Sequence, residues 1–152
     1  MYLNKASRKE NFTSCVKVQE WGKTMERFLG AECDPRQMSP LTLAFIGDGV
    51  FEVFVRESLV CKANCPVKKL HNRAVSMVCC KAQAEAARLL LPVMTEEEKE
   101  VYMRGRNAHV NHVPKNAEVA DYHAATAVEA VFGYLYLKGE LVRLRQLFDM
   151  LA

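Results

Sequence analysis

The sequence predicts an all-α domain, and three observations carry that expectation. Between Pro66 and Leu91, Leu70, Ala74, Met77 and Val78 recur at helical spacing and lead into an alanine-rich run that Pro92 stops. Thr95-Glu96-Glu97-Glu98 has the form of a capping box, in which Thr95 and Glu98 each satisfy a backbone N–H of the first turn. A long apolar run ends at Lys138 with Gly139 just beyond it, where helices commonly stop. The chain has 152 residues, 50% of them apolar and 26% charged, which suits one domain with a real core.

Taken in order, residues 1–19 are polar and lack sustained periodicity. They read as a disordered N-terminal extension, and the domain proper is placed at 20–152. Residues 20–30 predict a short amphipathic helix with Trp21, Met25 and Phe28 on one side and Gly30 at its end. Asp34-Pro35 and Ser39-Pro40 punctuate a loop, with Ser39 placed to cap a helix whose first residue is Pro40.

Pro40–Val60 is the most apolar run, with Asp48 at its centre. A charge there is costly unless it is paired, hydrogen-bonded or bound to metal. Two readings of this stretch compete on pattern alone. LTLAFI and VFEVFV meeting at Gly-Asp-Gly would make a β-hairpin. A buried helix would place Leu41, Ala44, Phe45, Phe51, Glu52, Val55 and Leu59 on the face of Asp48, with Leu43, Ile46, Val50 and Val53 opposite.

After a connector at Cys61–Cys65, one helix is expected from Pro66 to Leu91 and a second from Thr95 to Gly105. Arg106–Lys115 is a basic loop without an acid. A helix capped at or near Asn116 then runs to Lys138, and a last amphipathic helix turns Leu141, Leu144, Leu147 and Phe148 inward.

Net charge is only +3, but it is segregated. Cys61–Arg88 holds six basic residues against Glu85 alone, and Met103–Ala117 holds Arg104, Arg106 and Lys115 with no acid. Such a distribution suits either a polyanion-binding face or ordinary solvated helix faces. None of the six cysteines forms a C-x-x-C pair, and no signal peptide or membrane-length apolar run is present. Reduced, mostly buried thiols in a cytoplasmic protein are therefore expected. Zinc ligation by Cys61, Cys65, His109 and His112 fits no usual spacing.

A second carboxylate, Glu129, shares a helix face with Tyr122, Ala125, Thr126, Phe132, Gly133 and Tyr136. Small residues flank both acids: Ala44, Gly47 and Gly49 around Asp48, and Ala125 and Gly133 around Glu129. Two such helices packed closely would let both carboxylates reach one ion. The alternative is structural, with Asp48 capping a turn and Glu129 pairing with an arginine.

LAFIGDGVFEVFVRESL resembles the signature of the ribonuclease III catalytic domain, and that resemblance favours the helix over the hairpin. MRGRNAH, PKNAEVADYHAATAVEAVFGYLYL and CKAQAEA resemble its short branch, Mini-ribonuclease III, in the same order along about three quarters of the chain, from Ser39 onward. The resemblance implies a single helical endonuclease domain without a double-stranded-RNA-binding domain, for which the 23 residues after Glu129 are too few. It implies that Asp48 and Glu129 are the catalytic, metal-holding residues for Mg²⁺, with Mn²⁺ as a substitute, and that Arg104, Arg106, Asn107 and Lys115 contact RNA. Long ribonuclease III enzymes carry two further acids, where this chain has Ala44 and Thr126. The implied activity is endonucleolytic cleavage of double-stranded RNA in maturation of the precursor of 23S ribosomal RNA. The implied agent is a homodimer; the Pro40–Val60 stretch, with Phe45, Phe51 and Phe54, is apolar on both faces and is expected to supply the dimer seam as well as core. The alternative is a non-catalytic double-stranded-RNA-binding domain of the same fold.

Overall fold

The computed structural model describes residues 27–109, 113 and 115–151. The expectations for residues 1–19, and for most of the 20–30 helix including Trp21 and Met25, lie outside them. Among the described residues there are six α-helices, two single 3₁₀ turns and no strand. The helices are α1 (Pro40–Lys62), α2 (Val67–Val78), α3 (Cys80–Leu90), α4 (Glu96–Arg106), α5 (Val119–Lys138) and α6 (Leu141–Asp149).

Local chemistry sets most of the ends. Ser39 Oγ accepts the Thr42 N–H and Pro40 occupies the first turn of α1, so the ambiguous stretch is a helix. The Thr95–Glu98 capping box opens α4, with both reciprocal bonds formed. Gly139, at φ 85°, closes α5 in the left-handed conformation, and the Glu140 N–H reaches back to the Leu135 carbonyl at 2.9 Å. Asn116 does not cap α5; Glu118 precedes its first residue without a side-chain cap.

Three expectations are corrected. The single helix over 66–91 is two, because Cys79 adopts an extended conformation (φ −67°, ψ 153°) between α2 and α3. The break lets α2 lie on α1 while α3 turns to lie on α5. Gly105 does not stop α4 but sits inside it, where a Cβ would come within 2.8 Å of the Ala127 Cα on α5. The described cysteines are not mostly buried: Cys33, Cys61 and Cys79 are exposed, and Cys65 and Cys80 are half-buried.

The helix enclosed on nearly every side is α5 rather than α1. Ala125–Val128 and Ala130–Tyr136 are all buried, and α1, α3 and α4 surround them. Phe132 sits at its centre with the Phe51 ring 5.1 Å away, and Phe51 in turn meets Phe148 of α6 at 5.9 Å. Each fully buried side chain of this size contributes about 1.5–3 kcal/mol. By contrast α1 leaves Leu41, Phe45, Val53 and Val60 exposed.

α6 is tied to the start of α4 by a buried ion pair. Arg143 donates to both oxygens of Glu98 (2.8 and 2.9 Å) and to the Val93 carbonyl at 2.8 Å. Burial alone would raise the Glu98 carboxyl, but bonds from Arg143 and the Thr95 N–H outweigh it and hold the group below its ordinary value. Arg143→Ala leaves that carboxylate buried without its cation and is expected to cost about 3 kcal/mol, a Tm loss of roughly 10 °C by calorimetry. Because the folded Glu98 value is depressed, this stabilisation is present above its unfolded value of 4.5 and disappears as pH falls through the lower folded value.

Candidate active site

Two glycines place the two acids. A Cβ at Gly47 of α1 would collide with the backbone carbonyl of Glu129, and one at Gly133 of α5 would collide with the carbonyl of Leu43. The helix backbones therefore touch where only hydrogen fits, directly beside Asp48 and Glu129. Gly49 plays no part in this approach; open space surrounds it.

The two carboxylates differ in setting. Glu129 is half-buried, and Asp48, expected to be buried, is exposed on the outer side of the same junction. Its exposure lessens, without abolishing, the desolvation penalty that a fully buried acid would carry. Burial first, and Asp48 second, push the Glu129 carboxyl up to about 7. Burial and then Glu52 push Asp48 up as well. Glu52 itself is held by Arg56 at 2.7 Å. Neither of the two principal acids has an arginine or lysine partner among the described ion pairs. At the places of the long enzymes' extra acids, Ala44 and Thr126 are buried, and the Thr126 hydroxyl donates to the Tyr122 carbonyl.

α3 packs on α5 beside Glu129. Gln83, which the sequence did not single out, is buried there with its amide facing Glu129. Its only signal was a polar residue in the middle of the alanine-rich run CKAQAEA. The half-buried Cys80 thiol, three residues earlier, is pushed up by burial and then by Glu129. Among the described residues, no group of three His, Cys, Asp or Glu side chains is arranged to hold a metal. The donor set at this junction is thus two carboxylates.

The basic residues are spread over two faces. Arg106 and Asn107 are exposed at the C-terminal end of α4, and Lys115 is exposed in the turn before α5. Arg104 is exposed too, but its guanidinium also donates to the Met38 carbonyl at 2.7 Å, anchoring the segment that leads into α1. On α2, Lys68, Lys69 and Arg73 line a shallow groove with Asn72 and Ser76.

Comparison with known proteins accords with this geometry. The model of the ribonuclease III domain matches residues 41–140. The Mini-ribonuclease 3 of Thermoanaerobacter sp. is 45% identical over 113 residues, covering 74% of this chain and 80% of that protein. The Mini-ribonuclease 3 of Symbiobacterium thermophilum is 43% identical, covering 78% and 92%, and that of Streptococcus pneumoniae 40% identical, covering 75% and 91%. The crystal structure of protein FN1578 from Fusobacterium nucleatum superposes with a TM-score of 0.71 at 26% identity, over 78% of this chain and 94% of that one.

Proposed function

The chain belongs to the ribonuclease III family, and from that premise we propose that it is a divalent-metal-dependent endoribonuclease acting on double-stranded RNA. One observation carries the assignment of its site: Asp48 and Glu129 flank the close α1–α5 approach at Gly47 and Gly133, both raised in pKa and neither neutralised by a basic side chain among the described residues.

These residues fit the ion the family uses. Mg²⁺ is hard and is usually held by one or two carboxylates, waters and substrate phosphate oxygens. When bound it lowers the pKa of water and neutralises charge on phosphoryl and leaving oxygens. Glu129 would grip from the half-buried side, and Asp48 would complete the grip where solvent and substrate arrive. With only two carboxylates, binding to the free protein is expected to be weak and completed by RNA phosphates. Water then attacks a backbone phosphorus, and the 3′ oxygen leaves, giving 5′-phosphate and 3′-hydroxyl ends. Mn²⁺ has the same oxygen preference and would substitute.

Arg104, Arg106, Asn107 and Lys115 would hold the duplex by phosphate contacts, which position a substrate without reading its sequence. Duplex RNA is recognised mainly by shape, phosphates and 2′-hydroxyls, so a domain of this size suffices as reader. The base-paired stalk of precursor 23S ribosomal RNA is the proposed natural substrate, in the cytoplasm. No helix of the described residues is long and apolar enough to cross a membrane.

The working unit is proposed to be a homodimer. Of the three phenylalanines expected to supply seam and core, Phe51 lies in the core and Phe54 is half-buried against Phe132 and Phe148, while Phe45 is 85% exposed. Phe45 lies three residues before Asp48 on α1. A seam there would therefore set the partner subunit beside the site. Phe45→Glu is expected to weaken dimerisation by roughly a hundredfold, from about 3 kcal/mol of lost aromatic burial, read by light scattering against concentration.

The test is cleavage of an end-labelled RNA duplex with Mg²⁺, with Mn²⁺ and with chelator. Metal-dependent internal cuts support the proposal. Duplex binding without cuts in either metal would favour the non-catalytic reading, for which the absence of acids at Ala44 and Thr126 is the supporting observation.

The raised Glu129 value has a pH consequence. Metal must displace its proton below about pH 7, so Mn²⁺ affinity is expected to fall by about tenfold per pH unit there and to level off above. Titration at pH 6 and pH 8 checks this.

A further inference from the structure

Buried polar side chains are nearly always hydrogen-bonded, and Gln83 departs from this. It is 1% exposed, yet its Nε2 has no hydrogen-bond partner among the described residues. The other buried residues of α3 are Ala84, Ala86, Ala87 and Leu90, so packing alone would be served as well by leucine or methionine. An unpaired buried amide is a standing cost that an apolar residue of similar shape would remove. The titratable group it faces is Glu129, whose ionised form the amide favours, although the two fall short of a well-formed hydrogen bond.

We propose that Gln83 is a positioning residue for Glu129: its Nε2–H donates to one carboxylate oxygen when the divalent cation is bound and leaves the other oxygen for the cation. The proposal rests on the reading of Glu129 as a metal ligand. Its physical content is specific. A neutral amide donor stabilises a carboxylate without competing for it as a lysine or arginine would, so the net charge available to the cation is unchanged. It also restrains the carboxylate rotamer from α3, which packs on α5 as α1 does. Partners of metal-ligating carboxylates commonly change metal affinity by about 10–100-fold when removed.

The experiment uses the full chain and three variants: Gln83→Met, Gln83→Leu and Glu129→Gln. Mn²⁺ binding is followed by electron paramagnetic resonance without RNA, thermal unfolding is followed by calorimetry, and the Mg²⁺ dependence of duplex cleavage is measured beside them. Both Gln83 variants are expected to unfold at or above the wild-type temperature in the absence of metal, because the orphan amide is gone. Both should bind Mn²⁺ about 10–100-fold more weakly. The Mg²⁺ concentration for half-maximal cleavage should rise by a similar factor, with kcat at saturating Mg²⁺ approaching that of wild type. A residue that only packs would instead lower the unfolding temperature and leave Mn²⁺ affinity alone. Mn²⁺ affinity within twofold of wild type in a folded Gln83 variant, while Glu129→Gln loses binding, overturns the role of Gln83 and leaves the metal assignment standing. Unchanged Mn²⁺ binding by Glu129→Gln overturns both.

Discussion

Asp48→Asn is expected to lower Mg²⁺-dependent cleavage of an RNA duplex by roughly a thousandfold or more while leaving the protein folded. The size follows from what the carboxylate is proposed to do. Asparagine keeps the shape and one oxygen but loses the charge, and with only two acids at the site the remaining one must hold the ion alone. Losing about 4 kcal/mol of transition-state charge stabilisation corresponds to about three orders of magnitude in rate. Single-turnover cleavage of an end-labelled duplex, with wild type purified in parallel, measures it; equal cutting by the two proteins would place the chemistry elsewhere.

The same substitution should not destabilise the fold, because Asp48 is exposed, holds no cation among the described residues and carries a raised pKa. Glu129→Gln goes further. An acid whose folded value is raised binds its proton more tightly folded than unfolded, so the metal-free protein loses stability as pH rises from 4.5 to about 7. Glutamine has no such proton. The variant is therefore expected to melt higher than wild type at pH 8 without metal, and Mg²⁺ should narrow the gap by stabilising wild type alone. Loss of activity with gain of stability would distinguish an ionic site from a structural one.

Much of this was legible because it is encoded locally. Ser39-Pro40, the Thr95–Glu98 box and Gly139 act through bonds within a few residues, and each forms as its sequence context predicts. What was illegible depends on distant partners. Nothing at Cys79 signals a break; the extended residue exists because α2 and α3 pack on different helices. Gly105 looks like a helix stop and is instead the small residue that admits α5. Gly49 looks like part of a close approach and faces open space, while Gly47, two positions away, is the contact. A helical wheel sets those two on nearly opposite faces of α1 but could not tell which face meets α5, nor could it show that Asp48 faces outward. The apolar character of α1 suggested burial on all sides, whereas its stripe around Phe45 is left uncovered by the described residues. The acids were found because their residue types are rare in such runs, and Gln83 was passed over because an amide in a helix carries no comparable signal.

Gly47→Ala should undo both fold and site together. Within a helix, alanine is ordinarily better than glycine by about 1 kcal/mol. Here the added methyl would collide with the Glu129 carbonyl, and because the obstacle is backbone, no rotamer change relieves it. The helices must separate by a distance on the order of 1 Å, which forfeits packing around Leu43 and Gly133 and costs about 3 kcal/mol, or roughly 10 °C in Tm. The displaced helices are those carrying Asp48 and Glu129. A misplacement of about 1 Å in reacting groups is enough to lower a rate by roughly a hundredfold, so the fraction of protein that remains folded at low temperature should still cleave slowly. Gly49→Ala is the matched control. Its Cβ meets nothing, so the helix preference for alanine acts unopposed and Tm is expected to rise. Opposite signs for the same substitution two residues apart would identify the α1–α5 approach, rather than helix propensity, as what Gly47 is there to permit. Equal signs would mean that the two helices have room to give, and that some other contact holds the carboxylates together.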